Sequence, residues 1–194
     1  WPHHCLFRRE GGRRGDDVRH GLCLWPQGRA GELRAAGQYH HADRPLPDRI
    51  RVHEAGHPVP DQSSVAATRD LAALLREVTP RDLVFCVISG GGSALLTLPA
   101  EDLTLADLQA TTQLLLRAGA TIHEINTLRK HLDVVKGGEL ARLTDGAPIV
   151  SLILSDVIGD DLSVIASGPT VPDPSTFAAA WRIVQQFDLV DRLP

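Results

Sequence analysis

The sequence predicts an α/β layered domain built on a mostly parallel sheet. Three observations carry that prediction. Two short runs, "DLVFCVIS" at 82–89 and "PIVSLILSD" at 148–156, are almost wholly apolar and rich in branched residues. Strands buried on both faces of a parallel sheet read this way. Around these runs lie stretches with apolar residues at helical spacing. Gly- and Pro-bearing turn signals separate the two kinds of segment, and strands alternating with helices imply crossover connections.

Taken in order, "RIRVHEA" at 49–55 alternates weakly and reads as a short strand. "GHPVPD" at 56–61 is a loop held by two prolines, and Asp61 is placed to cap the next helix. That helix, "SSVAATRDLAALLREV", directs Val65, Leu71, Leu74, Leu75 and Val78 to a core, and Pro80 stops it. The first apolar strand runs into "SGGGSALL" at 89–96. Thr104 and Asp107 then stand in capping-box spacing at the head of "TLADLQATTQLLLRAG", whose stripe is Leu105, Leu108, Leu115 and Leu116. A further helix is expected over Ile122 to Val135. Ile125, Leu128, Leu132 and Val135 share one face; His123, Asn126, Arg129, Lys130 and Asp133 share the other. The second apolar strand empties into the long acidic loop "VIGDDLSVIASGPTVPDP". A last helix, "STFAAAWRIVQQF", is expected to pack Phe177, Trp181 and Val184.

Composition narrows the function classes. The 194 residues suffice for one sizeable domain. A net charge of −4 indicates no nucleic acid or anionic membrane as partner. No apolar run approaches the roughly 20 residues of a membrane span, and "WPHHCLFRRE" has no export-signal core. Cys5, Cys23 and Cys86 are an odd set and read as free thiols of a reducing cytoplasm. Cys5, His20 and Cys23 match no closed zinc spacing. There is a seam, however. Residues 1–49 hold nine Arg and no Lys, and show neither helical nor strand periodicity. We therefore expect residues 1–41 to be an aberrant or disordered segment and 42–194 to be a partial α/β domain. The absence of an initial Met and the stop at Pro194 suggest a fragment.

Ligands of open α/β sheets bind at the carboxyl ends of the strands. One strand here ends in Ser89, Gly90, Gly91, Gly92 and Ser93, the other in Ser155 and Asp156. A glycine turn can present backbone N–H groups to a phosphate or carboxylate, or can simply be a tight bend. It is neither a Walker loop nor a dinucleotide fingerprint, because the spacing and the lysine are absent. Asp156, Asp160 and Asp161 are oxygen donors of the kind that suit Mg²⁺; alternatively they are solvated or capping residues. Arg129, Lys130 and Lys136 form the tight basic group, with Asn126 one turn before Lys130. They could neutralise an anionic substrate or cover a solvated helix face. His57 is either a general base or a turn histidine.

Four stretches carry a resemblance: "EAGHPVPD", "ISGGGSALL", "NTLRKHLDVVKGGELA" and "LSDVIGDDLSVIASGPTVPDP". In this order they are similar to signature segments of the class II glycerate 2-kinases, a MOFRL-associated family also labelled hydroxypyruvate reductase. The resemblance runs from about His41 to the end. It implies a Rossmann-like α/β/α domain, incomplete here, and a kinase that uses ATP and Mg²⁺ to phosphorylate D-glycerate at its 2-hydroxyl. Carried over by position, Ser89 to Ser93 and Asn126 would line the phosphate and substrate region. Arg129 and Lys130 would be catalytic cations, Asp156 a catalytic or metal-binding carboxylate, and Asp160 a second metal ligand.

Two departures stand against this. The family places a lysine-bearing "GxGKA" segment before "EAGHPVPD"; here that region reads "LCLWPQGRAGELRAAGQYHH" and holds no lysine, as an out-of-frame translation would produce. The family's C-terminal region, with a catalytic arginine, is also missing. Three readings follow: a glycerate kinase, a non-catalytic remnant that binds ligand, and an NAD(P)H-dependent hydroxypyruvate reductase.

Overall fold

The computed structural model of the protein describes residues 20–27, 33–38, 50–155 and 157–194, with side chains described from residue 53 onward. Its strands are β1 (His20–Gln27), β2 (Leu33–Gln38), β3 (Ile50–His53), β4 (Leu83–Ile88) and β5 (Ile149–Ile153). They form one sheet in the order β3-β2-β1-β4-β5. β4 pairs parallel with β5, and β2 with β3, while β1 runs antiparallel to both of its neighbours. Because β1 opposes both inner partners, the other four strands point the same way, and the sheet is mostly parallel. β1 and β2 lie in the stretch that shows no periodicity. Their pairing is set by neighbours, with Leu22 opposite Ile88 and Gln27 opposite Leu83; strand formation depends on cross-strand context more than on intrinsic preference.

The register of β4 on β5 places Val84 beside Ile149 and Ile88 beside Ile153. The two apolar strands are thus adjacent and co-directional, and their carboxyl ends share one rim. Along that rim and behind it run α1 (Gln62–Arg76), α2 (Gly92–Leu95), α3 (Leu105–Arg117), α4 (Ile122–His131), α5 (Glu139–Arg142), a 3₁₀ turn (Ile165–Ser167) and α6 (Phe177–Gln186).

One core joins Leu71, Leu75 and Val78 of the α1 region to Val84, Cys86 and Ile88 of β4, with Leu96, Val135, Leu140 and Ile165. A second joins Leu115, Ile125 and Leu128 to Ala180, Val184 and Leu189. Cys86 is buried in the first core.

Four expectations are corrected. The apolar strands are not buried on both faces: Val84, Cys86 and Ile88 are buried, but Phe85 and Val87 are only half-buried, and Val150 and Leu152 are exposed. Helices of the described residues cover one side of β4 and β5. In α3, Leu116 is exposed rather than packed. In α6, Val184 is buried as expected, but Phe177 and Trp181 are exposed; Ala180 takes the core position one turn before Val184. Finally, α4 stops at His131 instead of reaching Val135. The Asp133 carboxylate accepts from the amides of Val135 (3.0 Å) and Leu98 (3.1 Å), giving the backbone an alternative to the next helical turn. Most of the face expected to be polar is withdrawn from solvent: Asn126, Lys130 and Asp133 are buried and Arg129 half-buried, while His123 is exposed.

Candidate active site

The glycine stretch leaves β4 through buried Ser89 and Gly90. Gly91 then adopts φ 77° as the residue preceding α2, a left-handed conformation that glycine takes without steric cost. Gly92 needs its missing side chain for a different reason. A Cβ there would lie 2.7 Å from the Ala166 methyl carbon. The bend therefore packs directly on the 3₁₀ turn of the acidic loop, and Ser93 Oγ reaches Ser167 Oγ at 2.7 Å. This pairing brings the second and fourth signature segments together.

The first and third segments complete the neighbourhood. In "EAGHPVPD", a Cβ on Gly56 would meet the Val59 carbonyl oxygen at 2.7 Å, so the tight loop 56–60 depends on that glycine. Asp61 caps α1, accepting from the Ser64 amide at 2.9 Å, and the Gln109 amide of α3 donates to the Pro60 carbonyl at 2.7 Å. In "KGGE", Gly137 and Gly138 have positive φ and donate their amides to the Ser167 and Gly168 carbonyls.

Loop 57–60, α2, α3 and α4 enclose a cavity of about 390 Å³. Its walls are largely apolar, from Pro58, Val59, Leu108 and Leu116; Gly91, Ser93, Arg129 and Lys136 supply the polar end. Exposed Leu116 thus serves the cavity rather than the core. Arg129 is half-buried. Burial pulls its guanidinium below the usual arginine value, and the Asp133 carboxylate opposes that pull. Among the described residues no carboxylate lies within ion-pair distance of Arg129. A half-buried cation in a pocket, beside a glycine bend, suits a phosphate or carboxylate.

The expected site residues separate into groups. Gly91, Ser93 and Arg129 share the cavity. Ser89, Gly90 and Gly92 support it from behind. Asn126 is buried on α4 outside the cavity lining. Lys130 points elsewhere: its ammonium pairs with Asp173 at 3.2 Å. Burial works against the Asp173 carboxylate, but the Ser175 amide and hydroxyl and Lys130 hold it below the usual range. Asp160 is exposed at a φ of 53°. Asp156 lies outside the described residues, and so do Cys5 and the side chains of His20 and Cys23. Among the described residues no three His, Cys, Asp or Glu side chains converge to hold a metal ion.

Lys136, a member of the expected basic group, lines the cavity and is paired with Asp133. Lys136 is fully buried, with its ammonium 3.4 Å from the Asp133 carboxylate. Burial pushes that ammonium down from the usual lysine range; Asp133 counters it, and Arg129 adds to it. The i, i+3 spacing of an acid and a lysine was the available signal, but a helix drawn through Val135 puts both outside.

Comparison with known proteins places the chain in a family. Residues 17–194 match the family model described as "Domain of unknown function (DUF4147)", a match that includes part of the stretch before residue 42. The chain is 53% identical over 146 residues to the glycerate 2-kinase of Pyrococcus horikoshii, covering 75% of this chain and 33% of that protein. Against the glycerate kinase of Danio rerio it is 44% identical over 187 residues, 93% of this chain and 36% of that one. A crystal structure of Thermotoga maritima glycerate kinase superposes with a TM-score of 0.77 at 44% identity, covering 80% of this chain and 37% of that chain. The chain thus spans about a third of the length of these relatives. With its family model matched over residues 17–194, the chain belongs to the DUF4147 family, among relatives that are named glycerate kinases.

Proposed function

We propose that this chain carries the phosphate- and substrate-binding part of an ATP-dependent kinase that phosphorylates D-glycerate at the 2-hydroxyl. One observation carries the reading: the Gly91–Ser93 bend and the Arg129 guanidinium open onto the same cavity, in a chain half-identical to a glycerate 2-kinase. Phosphoryl transfer asks a protein chiefly for alignment and charge neutralisation. Arg129 offers a planar donor pair to a phosphate or to the glycerate carboxylate. The apolar walls exclude water and strengthen that attraction. ATP would supply the transferred phosphoryl group. Asp156 and Asp160 are the proposed Mg²⁺ ligands.

A second reading, binding without turnover, is favoured by the lysines. The chain has only two, Lys130 and Lys136. One is tied to Asp173 and the other to Asp133, which leaves neither beside the Arg129 end of the cavity as a free charge for a transferring phosphate. Loss of such a group costs orders of magnitude in rate. Titration of the full chain with ATP, followed by an assay for 2-phosphoglycerate with Mg²⁺ and D-glycerate, separates the two. Arg129→Ala should weaken ATP binding about tenfold or more, the worth of one charge-assisted contact. Unchanged affinity in that variant would remove the cavity from the account, and product formation by the parent chain would remove the second reading.

A further inference from the structure

A buried lysine next to a ligand-binding bend requires explanation, since an ammonium far from water is costly unless its hydrogen bonds are met. Lys136 meets them with backbone. Its ammonium donates to the Ser93 carbonyl at 2.9 Å and to the Leu96 carbonyl, and it lies 3.5 Å from Thr97 Oγ1. These acceptors stand 39 to 43 residues earlier in the chain, so the contact is tertiary. They bracket α2. A helix of four residues has little intrahelical bonding to hold it; its Ala94, Leu95 and Leu96 amides bond back to Gly91 or Gly92. Gly90 and Gly91 precede it and Gly92 opens it, which raises the entropy that ordering must overcome.

Asp133 fixes the lysine in turn. Its carboxylate is held by the Val135 and Leu98 amides, and Leu98 is two residues past the Leu96 carbonyl that Lys136 grips. Two charged side chains, three residues apart, therefore clamp both the start and the exit of the segment 93–98. The Thr97 amide adds a bond to Thr68 Oγ1 of α1 at 3.1 Å.

We propose that Lys136 is a positioning residue, which pins the carbonyls of Ser93 and Leu96 and so holds the glycine bend in the shape that faces the cavity. It rests on the phosphate-binding reading only for its consequence, not for its geometry. Lys136 also lines the cavity, but its ammonium is spent on the Ser93 and Leu96 carbonyls and on Asp133.

The presence of only two lysines makes a direct test practical. With ¹⁵N-lysine labelling of the unmodified chain, one side-chain ammonium should show slow proton exchange and couplings across hydrogen bonds to the Ser93 and Leu96 carbonyl carbons. Lys136→Met should erase that signal and raise amide exchange at Leu95 and Leu96 at least tenfold, while amides of α3 and α6 keep their protection. Lys136→Arg should restore part of it. If ATP binds the parent chain, Lys136→Met should weaken it although Arg129 is intact. A parent chain that binds no ATP would sink the phosphate-binding reading and leave the pinning to be decided by the couplings. Absence of those couplings, or unchanged exchange at Leu95 and Leu96 in a folded Lys136→Met protein, would overturn the proposal. Should that variant not fold, the unmodified chain's spectrum decides alone.

Discussion

Gly92 cannot take a side chain without displacing its neighbour. An added methyl would sit 2.7 Å from the Ala166 methyl carbon, and Ala166 is itself held at a φ of 51°, so neither partner has an easy retreat. Gly92→Ala should therefore destabilise the chain by about 1–3 kcal/mol, the usual cost of overpacking, read as a lower urea midpoint at constant slope. Ala166→Gly removes the obstructing atom and relieves the left-handed alanine. The double variant should recover most of the loss, a coupling that only contacting residues show. At this scale the sequence was half legible. Three glycines after an apolar strand announced a bend at a strand end, and that is where the cavity lies. What they abut was not legible, because Ala166 is 74 positions away from Gly92 and nothing local marks the contact. Lys136 was hidden for a related reason. Its role depends on where α4 ends, and Asp133 ends it through bonds to Leu98 and Val135.

Elements were more legible, because their ends are written in adjacent residues. The cap at Asp61 and the capping box at Thr104 were expected from the sequence, and both form; Asp61 makes a full box with Ser64, and Thr121 with Glu124 makes a third. Thr104→Ala and Thr121→Ala should each cost about 1 kcal/mol. The boxes also give stability a pH dependence. The Thr104 hydroxyl and amide hold Asp107 below its ordinary value of 3.8, and the Thr121 amide and hydroxyl hold Glu124 below 4.5. A depressed carboxyl stabilises the fold above its unfolded value and loses that contribution as pH falls through the folded one. A variant carrying Asp107→Asn and Glu124→Gln should thus be less stable than the parent at pH 7, and the gap should close between about pH 4.5 and 3. A gap that stays constant would show that the carboxylates contribute no charge-dependent bonding. Asp133 works in the opposite sense, since burial raises its carboxyl; comparing variants that both retain Asp133 cancels it.

For the whole molecule, strand identity and direction were legible, but burial was not. A strand's own residues state that it is apolar. They do not state what lies over each face, and that depends on chain far from the strand. Here the helices of the described residues cover the face bearing Val84, Cys86 and Ile88. The other face leaves Val150 39% and Leu152 54% exposed, with Leu154 at 67% just beyond, and β5 is the outermost strand on its side of the sheet. Relatives about three times as long carry far more chain than is present here. An uncovered apolar face on an outer strand is a template for self-association. The chain by itself should therefore show mass that rises with concentration in light scattering. Leu152→Lys, alone on β5, should suppress that rise, since a charge on the open face resists burial in a second copy. Leu152 and the cavity share no lining residue, so ATP affinity and the far-ultraviolet circular dichroism should stay as in the parent. If Leu152→Lys associates as strongly as the parent, the sticky surface lies elsewhere, as at exposed Ile158 after β5 or Phe177 of α6. If instead the parent is monomeric at every concentration, the face is better protected than its exposure implies.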